Sequence, residues 1–554
     1  MKKKFFGLLI IMLAAGAASA AGNADRHGWC VQKAPVRVAI CPQEETLYMR
    51  CLTASLAGLA AQAVNEGTFT EMVWEDVDSP EAYSAHYIDV INALAIETVH
   101  EAEVFDLLSE YIEAGIVNGY VLYRTDKSPG RQYSRREGID LSVNVATVYA
   151  GVLGAVLVSE EIEDEVKNLG LKCLKDCRDI TPEECFESLR GELNNGGVAF
   201  IDPQTHNCRD YAIAHKLMVG YDVGPLSEKI CEWVAPLSPV IGWNCPDEFS
   251  HTAMISRYGL FNTATDRCEN MTLMAAASSR MTPLRISEKG PQDIDFSADG
   301  PFHSFLLSDG DNMQWSEGNF LTSESFYASP RKGEFGVNWT SCTVNLSVMA
   351  VPAWNAIVSG KPDCNSIVEF GGGYYYPDLF AVSRPDRAEL LAEFARGTGE
   401  RMNELGVSLI CFICSDSRSE AAMEAFRIFA QEIKGLTGIV VLDYYPYENG
   451  GEIRWVQDSE GNDIPVAGAA YSIWDTDDAN RPNAGSPSKV AGLINAADDS
   501  SALSFTIVHV WSEFGGESGV DASYMAANLF DERVKTVSLN ELFWRIRMKN
   551  GTGK

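Results

Sequence analysis

Two carboxylates and an amide follow directly after an apolar run at residues 302–307. Asp309 and Asp311 are separated by one glycine, and Asn312 comes next. On an extended segment, residues two apart face the same side. Their repulsion raises the pKa of one carboxyl group, which can then act as a general acid. The same residues also suit an Asx turn that closes a strand or a set of oxygen ligands for calcium, and the spacing leaves these three interpretations open.

The last long apolar run, residues 503–510, ends with a second group of reactive side chains. His509, Trp511 and Glu513 place an imidazole, an indole and a carboxylate within five residues. Glycosidase sites use such groups to hold a sugar ring and to protonate its leaving oxygen. A core strand that ends in an exposed glutamate explains the same residues equally well.

The catalytic prediction pairs two of these carboxyl groups. Asp309 or Asp311 acts with Glu513 as the acid and the base or nucleophile, and Asp416 is the substitute. An aspartate after an apolar run, such as Asp416, is more often a helix cap than a catalyst. Other groups at the predicted strand ends are assigned to substrate binding: Asn312, Asp443, His509 and Trp511.

Residues 371–377 form the unusual run Gly-Gly-Gly-Tyr-Tyr-Tyr-Pro. Consecutive glycines allow positive φ and close backbone approach, and tyrosines offer flat faces that carry a hydroxyl group. Sugars stack on such faces, so we predict that Gly371, Gly373, Tyr374 and Tyr376 bind the substrate. The alternative is a tight turn followed by core tyrosines, and three tyrosines before a proline argue against it.

This heptapeptide fits the signature Gly-x-Gly-Tyr-x-Tyr-Pro, and the sequence resembles the family of GxGYxYP putative glycoside hydrolases. The upstream element at residues 308–312, Ser-Asp-Gly-Asp-Asn, is similar to one found in the same family. The resemblance implies an N-terminal α/β region followed by a C-terminal barrel-like domain, and glycosidase activity. It assigns no catalytic residue.

The pattern of apolar runs and helical segments that must position these residues changes near residue 295. Residues 286–301 are rich in Gly, Pro, Asp and Ser, which is typical of a boundary. Before it, apolar runs alternate with helical patterns and predict an α/β region over residues 21–294, in one or more small units. After it, about seven apolar runs lead into polar residues and helices, which predicts a (β/α) barrel-like domain over residues 295–554.

The first 20 residues have the three parts of a signal peptide. Three lysines precede an apolar stretch, and Ala18-Ser19-Ala20 supplies a small-residue cleavage site. Cleavage after Ala20 predicts an exported protein, periplasmic or secreted. No later run is apolar over the roughly 20 residues that a membrane helix needs, so no membrane contact is expected after cleavage.

The composition limits the partners and cofactors. The chain has 44 basic and 77 acidic residues, a net charge of −33, which disfavours nucleic acids and favours neutral or cationic ligands. The sequence contains no nucleophile elbow, zinc helix or phosphate loop. Its eight histidines are scattered, so neither a metal nor another cofactor is predicted. Some of the 14 cysteines are expected to pair, for example among Cys173, Cys177 and Cys185.

The leading hypothesis is a glycoside hydrolase that cleaves a neutral poly- or oligosaccharide with paired carboxyl groups. The first alternative is a non-catalytic, exported carbohydrate-binding protein that holds a glycan on Tyr374, Tyr376 and Trp511. The second is a metal-assisted carbohydrate esterase or deacetylase that uses Asp309 and Asp311, which the scattered histidines make weaker. The oligomeric state is not predicted.

Overall fold

The computed structural model describes residues 27–77, 86–130, 134, 136–445, 447–476, 480–497 and 502–551, so the predicted signal peptide lies outside the described residues. The described chain has a mixed α/β fold. Three small parallel sheets lie in its first half, and one large curled sheet lies in its second half. The predicted boundary segment contains a short 3-10 helix, Pro291–Asp293, and the large sheet begins directly after that segment.

The first unit is a parallel sheet with the strand order β2-β1-β3. Its helix α1 has the length and apolar composition of a membrane span, but most of that helix is buried inside the protein, as in the core helix of a globular domain. The elements of this unit are β1 (Arg37–Pro42), α1 (Leu47–Glu66), β2 (Glu71–Asp76), α2 (Tyr87–Leu94), β3 (Thr98–Glu101) and α3 (Val104–Glu113).

The second and third units repeat this strand-helix alternation. The second sheet has the order β5-β4-β6, and the third has the order β10-β9-β7-β8. The second unit comprises β4 (Gly119–Tyr123), α4 (Ser142–Leu153), β5 (Ala155–Ser159), α5 (Glu163–Asn168), β6 (Cys173–Asp176) and α6 (Pro182–Leu189). The third comprises β7 (Val198–Phe200), α7 (Arg209–Ala214), β8 (Met218–Gly220), α8 (Pro225–Trp233), β9 (Pro239–Gly242), α9 (Glu248–Arg257), β10 (Phe261–Asn262) and α10 (Met271–Ser278).

The C-terminal unit is built on the curled sheet. Its strands are β11 (Phe302–Leu307), β12 (Val337–Ser341), β13 (Ile367–Phe370), β14 (Leu409–Cys414), β15 (Gly438–Asp443), β16 (Ile453–Gln457), β17 (Asp463–Gly468), β18 (Tyr471–Ile473), β19 (Ala484–Gly485), β20 (Leu503–Val508) and β21 (Lys535–Thr536). Its helices are α11 (Met313–Glu317), α12 (Thr343–Met349), α13 (Val351–Gly360), α14 (Arg387–Leu405), α15 (Glu420–Glu432), α16 (Pro487–Asn495), α17 (Gly519–Ala527) and α18 (Leu539–Lys549), and Pro330–Gly333 is a 3-10 turn.

The strand β14 shows how this sheet is packed on both faces. Phe412 points toward the outer helices, where its ring lies 4.8 Å from that of Phe429 in α15. The alternate residue Cys411 belongs to a second core together with Phe543 of α18. Strands that are covered on both faces become continuous apolar runs, which is why this segment has no polar residue.

The strand path runs β16-β17-β15-β14-β13-β12-β11-β20-β18-β19, and only two residues separate β17 from β18 in the chain. All pairs along this path are parallel except the β16–β17 hairpin. The predicted α/β class is therefore confirmed, and the sheet is curled and mostly parallel. In the described residues its edge strands β16 and β19 do not pair with each other, so a closed barrel is not confirmed. The regular alternation of a (β/α) barrel is interrupted at this hairpin, because no helix separates its two strands.

The cysteines correct one expectation. All 14 lie within the described residues and none forms a disulfide. Most are buried, as Cys177 and Cys185 are, because a thiol in a protein core packs as a small apolar group. Cys411 and Cys414 are likewise both buried in β14.

Candidate active site

The third unit docks directly on the loops that follow β13 and β11. Asn262 and Tyr374 exchange two backbone hydrogen bonds of 2.9 and 2.6 Å. Two residues further on, the Ala264 amide donates to the carbonyl oxygen of Asp311 at 3.3 Å. The chain at the end of β10 thus forms hydrogen bonds to both predicted motifs, so these motifs lie at the junction of two units.

The three glycines form a turn that no other residue type can adopt without strain. Gly371, Gly372 and Gly373 have φ values of 69°, 82° and 144°, where residues with a side chain are disfavoured. A Cβ atom at Gly373 would lie 2.3 Å from Cδ2 of Phe261. The Gly372 amide donates to the buried Glu369 carboxylate at 2.9 Å, which anchors the turn to β13. The glycines are therefore required for the close approach of the third unit.

The tyrosine rings after this turn are core residues. Tyr374, Tyr375 and Tyr376 are 1%, 2% and 0% exposed. The third unit covers two of them: Trp243 stacks on Tyr374 with 6.2 Å between ring centroids, and Phe249 lies 5.4 Å from Tyr376. The expectation that Tyr374 and Tyr376 offer open faces to a sugar is therefore wrong, since it did not include the aromatic residues of the first half.

The hydroxyl group of Tyr374 has a different use. It donates a hydrogen bond to the carboxylate of Glu248, the first residue of α9 in the third unit. Glu248 is in turn part of the wall of a cavity at the junction. The signature tyrosine thus orients a carboxyl group that comes from another unit of the chain.

This cavity has a volume of about 230 Å³ and lies at the carboxyl ends of β11 and β14. Four carboxyl groups line it, two from the third unit and two from the loop after β11: Glu248, Asp266, Asp309 and Asp311. The remaining lining residues are Trp243, Ala264, Asn312, Gln314, Ile413 and Tyr447. The structure thus places the predicted pair Asp309 and Asp311 in the wall of a concave site.

Burial raises the pKa of three of these carboxyl groups. Burial, followed by the charges of Asp309 and Glu248, raises the pKa of Asp311 well above its usual value. Burial is also the main cause that raises the pKa of Glu248 to about 7 and that of Asp266 to about 6. Near neutral pH the cavity therefore offers proton donors as well as charged carboxylates.

Asp309 is held in a strained position at the edge of the cavity. Its φ of 64° lies in the left-handed region, which a residue with a side chain adopts at a cost. Its carboxylate accepts a hydrogen bond of 2.8 Å from Nε1 of Trp511 and another from the Ser308 hydroxyl. Asn312 donates its amide to the carbonyl oxygen of Asp309 at 3.3 Å, so this segment is both a turn and a part of the site.

The strand end after β20 lies beside Asp309. Trp511 is 47% exposed and joins the site through its hydrogen bond to Asp309. His509 stacks on Trp474 with 3.9 Å between ring centroids, and its Nδ1 atom lies 2.8 Å from the Ser512 hydroxyl. Burial lowers the pKa of His509. These two predicted binding residues therefore form one side of the approach to Asp309.

The other predicted strand-end carboxylates do not line the cavity. Glu513 lies exposed on the turn after Trp511. Asp416 is also exposed and accepts the Arg418 amide at 3.0 Å, and Asp443 accepts the Ser417 amide at 3.1 Å. These two aspartates hold turns by accepting backbone amides, whereas the alternative interpretation was a helix cap; the N-cap of α15 is Ser419. The carboxyl groups that join Asp309 and Asp311 come instead from the third unit.

Sequence reasoning missed Glu248 and Asp266. Both follow strands of the third unit: Glu248 comes six residues after β9, and Asp266 comes four residues after β10. The strand-end rule selected carboxylates only in the second half of the chain. The same rule would have selected these two residues in the first half.

Three domain models of one family match the chain. The GxGYxYP_N second domain matches residues 117–190, the GxGYxYP third domain matches residues 198–276, and the GxGYxYP putative glycoside hydrolase C-terminal domain matches residues 302–547. The chain belongs to the GxGYxYP family. In this member of the GxGYxYP family, the signature therefore lies where the third domain meets the C-terminal domain.

The fold is similar to that of one solved structure, described as a putative hydrolase from Bacteroides thetaiotaomicron. The TM-score is 0.77, the sequence identity is 19%, and the match covers 94% of this chain and 96% of that chain. No curated protein matches the chain. The family description and this neighbour together support a hydrolase in general terms.

Proposed function

We propose that this protein is an exported glycoside hydrolase in which Glu248 and Asp309 are the acid and its catalytic partner. The observation that carries the proposal is the shared cavity, where a carboxyl group with a pKa of about 7 lies with a half-buried aspartate. Glycosidases divide their chemistry between two such carboxyl groups. The description of the family as putative glycoside hydrolases supports the same reaction class.

In the proposed mechanism, Glu248 protonates the oxygen of the leaving sugar as the glycosidic bond breaks. Its pKa of about 7 keeps a large fraction protonated at neutral pH, which is the condition for a general acid. Trp511 and Ser308 hold the Asp309 carboxylate in place. This carboxylate attacks the anomeric carbon or activates a water. Asp311, which burial keeps protonated, donates a hydrogen bond to a substrate hydroxyl.

The cavity also supports the class of substrate. Its lining residues carry four carboxyl groups and, among the described residues, neither lysine nor arginine, so a sugar with an acidic group would be repelled. Its volume of about 230 Å³ is below the range that is usual for drug-sized ligands. We therefore propose a neutral saccharide, of which one ring at a time enters the cavity.

The two other functions receive less support from this geometry. A carbohydrate-binding protein needs an open aromatic surface, whereas the signature tyrosines are buried. A metal-assisted esterase needs ligand atoms around one ion, and in the described residues no three carboxylates of this cavity have ligand atoms within 4.8 Å of one another. The enclosed carboxyl groups favour acid/base hydrolysis.

Export is the second part of the proposal. It rests on the lysines, the apolar stretch and the Ala18-Ser19-Ala20 site of the first 20 residues. N-terminal sequencing of the protein recovered from a secreting bacterial host tests it. We expect the mature chain to begin at Ala21, and an uncleaved chain retained in the cytoplasm would contradict the proposal.

The hydrolytic activity is tested with the mature protein, residues 21–554, on a panel of neutral disaccharides and aryl glycosides. We expect turnover of at least one substrate and a loss of ~10²- to 10⁴-fold in kcat/KM in Asp309→Asn. The matched controls are Asp416→Asn and Glu400→Gln, whose side chains are exposed and outside the cavity.

The outcome separates the three functions. Turnover that depends on Asp309 but not on Asp416 or Glu400 supports the assignment. Saccharide binding without turnover in any protein favours the carbohydrate-binding protein. Release of acetate from an acetylated saccharide, with every glycosidic bond intact, favours the esterase.

A further inference from the structure

A second cluster of charged side chains lies between the first and third units, away from the candidate active site. The Nε2 atom of His206 lies 3.1 Å from Oε2 of Glu269 and 3.6 Å from Oε2 of Glu75. Glu75, His206 and Glu269 form the group of three carboxylate or imidazole side chains, among the described residues, whose ligand atoms all lie within 4.8 Å of one another. All three side chains are about nine-tenths buried.

Hydrogen bonds between asparagine side chains and the backbone hold the three segments together. The Asn270 side chain accepts the Glu75 amide at 2.7 Å and donates to the Glu75 carbonyl oxygen at 2.9 Å, in the manner of a neighbouring strand. Asn207 donates to the carbonyl oxygen of Cys268 at 3.2 Å. Each cluster residue is therefore next to a residue that fixes its segment, and the three side chains are positioned without relying on their mutual contacts.

The cluster is incomplete as an ion pair. The Oε1 atom of Glu75 is buried and has no hydrogen-bond partner within 3.5 Å. A space of about 10 Å³ adjoins the three side chains, close to the smallest volume that holds one water or ion. A buried carboxylate oxygen without a partner is costly, so the site has both room and need for a positively charged or proton-donating occupant.

We propose that Glu75, His206 and Glu269 form a binding site for a divalent first-row transition metal, with Zn²⁺ as the expected ion. Zinc binds imidazole nitrogen and carboxylate oxygen at about 2.0–2.2 Å in a tetrahedron, so two neighbouring ligand atoms lie ~3.3 Å apart. The observed separations of 3.1 and 3.6 Å match that edge. The fourth position is left to a water or to the second oxygen of Glu75.

A similar set of residues in the first unit provides the matched control. His100 lies 3.5 Å from Glu71 through Nδ1 and 3.4 Å from Glu110 through Nε2. The two nitrogens of an imidazole point in different directions, so these carboxylates cannot share one ion with His100. The residue types are the same, but the geometry differs, and His100 and Glu110 are partly exposed.

The test uses the mature protein without a histidine tag, stripped with a chelator and titrated calorimetrically with ZnCl₂. We expect one equivalent of Zn²⁺ per chain in the wild type and in His100→Asn, and a loss of affinity of at least ~100-fold in His206→Asn and Glu269→Gln. Circular dichroism of each variant verifies that it is folded. An absence of stoichiometric binding in the wild type, or unchanged binding in His206→Asn, would overturn the proposal.

A measurement on the wild type decides the case in which the variants do not fold. Crystals of the zinc-loaded protein are examined for anomalous scattering at the zinc absorption edge. We expect a peak about 2 Å from Nε2 of His206 and in contact with both carboxylates. A peak at another position, or none, contradicts the assignment, and neither result depends on glycosidase activity.

Discussion

The two carboxyl clusters of this protein are built from similar residues but differ in the space around them. The cavity at the junction encloses about 230 Å³ and has four carboxyl groups without an imidazole. The cluster of Glu75, His206 and Glu269 adjoins only about 10 Å³. The larger cavity has room for part of a ligand, whereas the second cluster has room for little more than one water or ion.

One segment of the third unit contributes to both clusters. Ala264 pairs with Asn312 beside the cavity, Asp266 lines the cavity, and Glu269 belongs to the second cluster. The segment from Ala264 to Glu269 is only six residues long. The variants below therefore test whether the two clusters, which share this short segment, have separate functions.

The largest effect is expected from replacing one carboxyl group in each of the two clusters, one variant at a time. Glu248→Gln removes the proposed acid and should lower kcat/KM by ~10²- to 10⁴-fold while leaving zinc binding unchanged. Glu269→Gln should do the reverse, with zinc affinity lost and kcat/KM within about threefold of wild type. Parallel kinetics and calorimetry measure both quantities. If either variant loses both properties while folded, the clusters are not separate.

A smaller effect is expected from the signature turn, which lies beside the cavity and not beside the second cluster. Gly373→Ala places a Cβ atom 2.3 Å from Phe261 at a φ of 144°, and should lower the free energy of unfolding by ~2 kcal/mol. The matched control Gly397→Ala lies within α14, where an added Cβ contacts nothing, and should raise it by ~0.5–1 kcal/mol. Urea unfolding monitored by tryptophan fluorescence measures both. Equal effects of the two changes would show that the docking contact is unimportant.

A third effect concerns the pH dependence of the cavity. Activity requires protonated Glu248, so kcat/KM should be highest below pH 7 and should fall as the pH rises through about 7. The hydrogen bond from Tyr374 lowers the pKa of Glu248 by favouring its charged form. Tyr374→Phe should therefore move the falling limb to higher pH. Zinc affinity provides the control, since Tyr374 is not part of that cluster, and a limb that does not move would contradict the role given to Tyr374.

Parts of the C-terminal half were predictable from the sequence because several of its strands are apolar runs of six residues. The runs that became β11, β14 and β20 were recognised by composition, and Asp309 and Asp311 were correctly expected to lie at a strand end. The α/β class followed from the same alternation. These features depend on local pattern, which a single sequence contains.

The remainder depends on contacts between distant segments. Tyr374 and Tyr376 are buried by Trp243 and Phe249, which lie more than a hundred residues earlier in the chain. Glu248 enters the cavity because Asn262 pairs with Tyr374, a pairing of single residues that no periodicity reveals. Glu513 was selected for its position after an apolar run, but nothing in that rule distinguishes a carboxylate that points into a cavity from one on an exposed turn.

The smallest effect is expected at Trp511, which supports Asp309 from the solvent side. Trp511→Phe removes the 2.8 Å hydrogen bond from Nε1 and keeps an aromatic ring beside Trp315, whose centroid lies 5.0 Å away. Because Trp511 is 47% exposed, water can replace the lost donor, and kcat/KM should fall by less than about tenfold. The second cluster lies elsewhere, so the zinc affinity of this variant should equal that of the wild type. A loss as large as that of Asp309→Asn would instead make Trp511 a direct substrate contact, and the cavity would then extend toward β20.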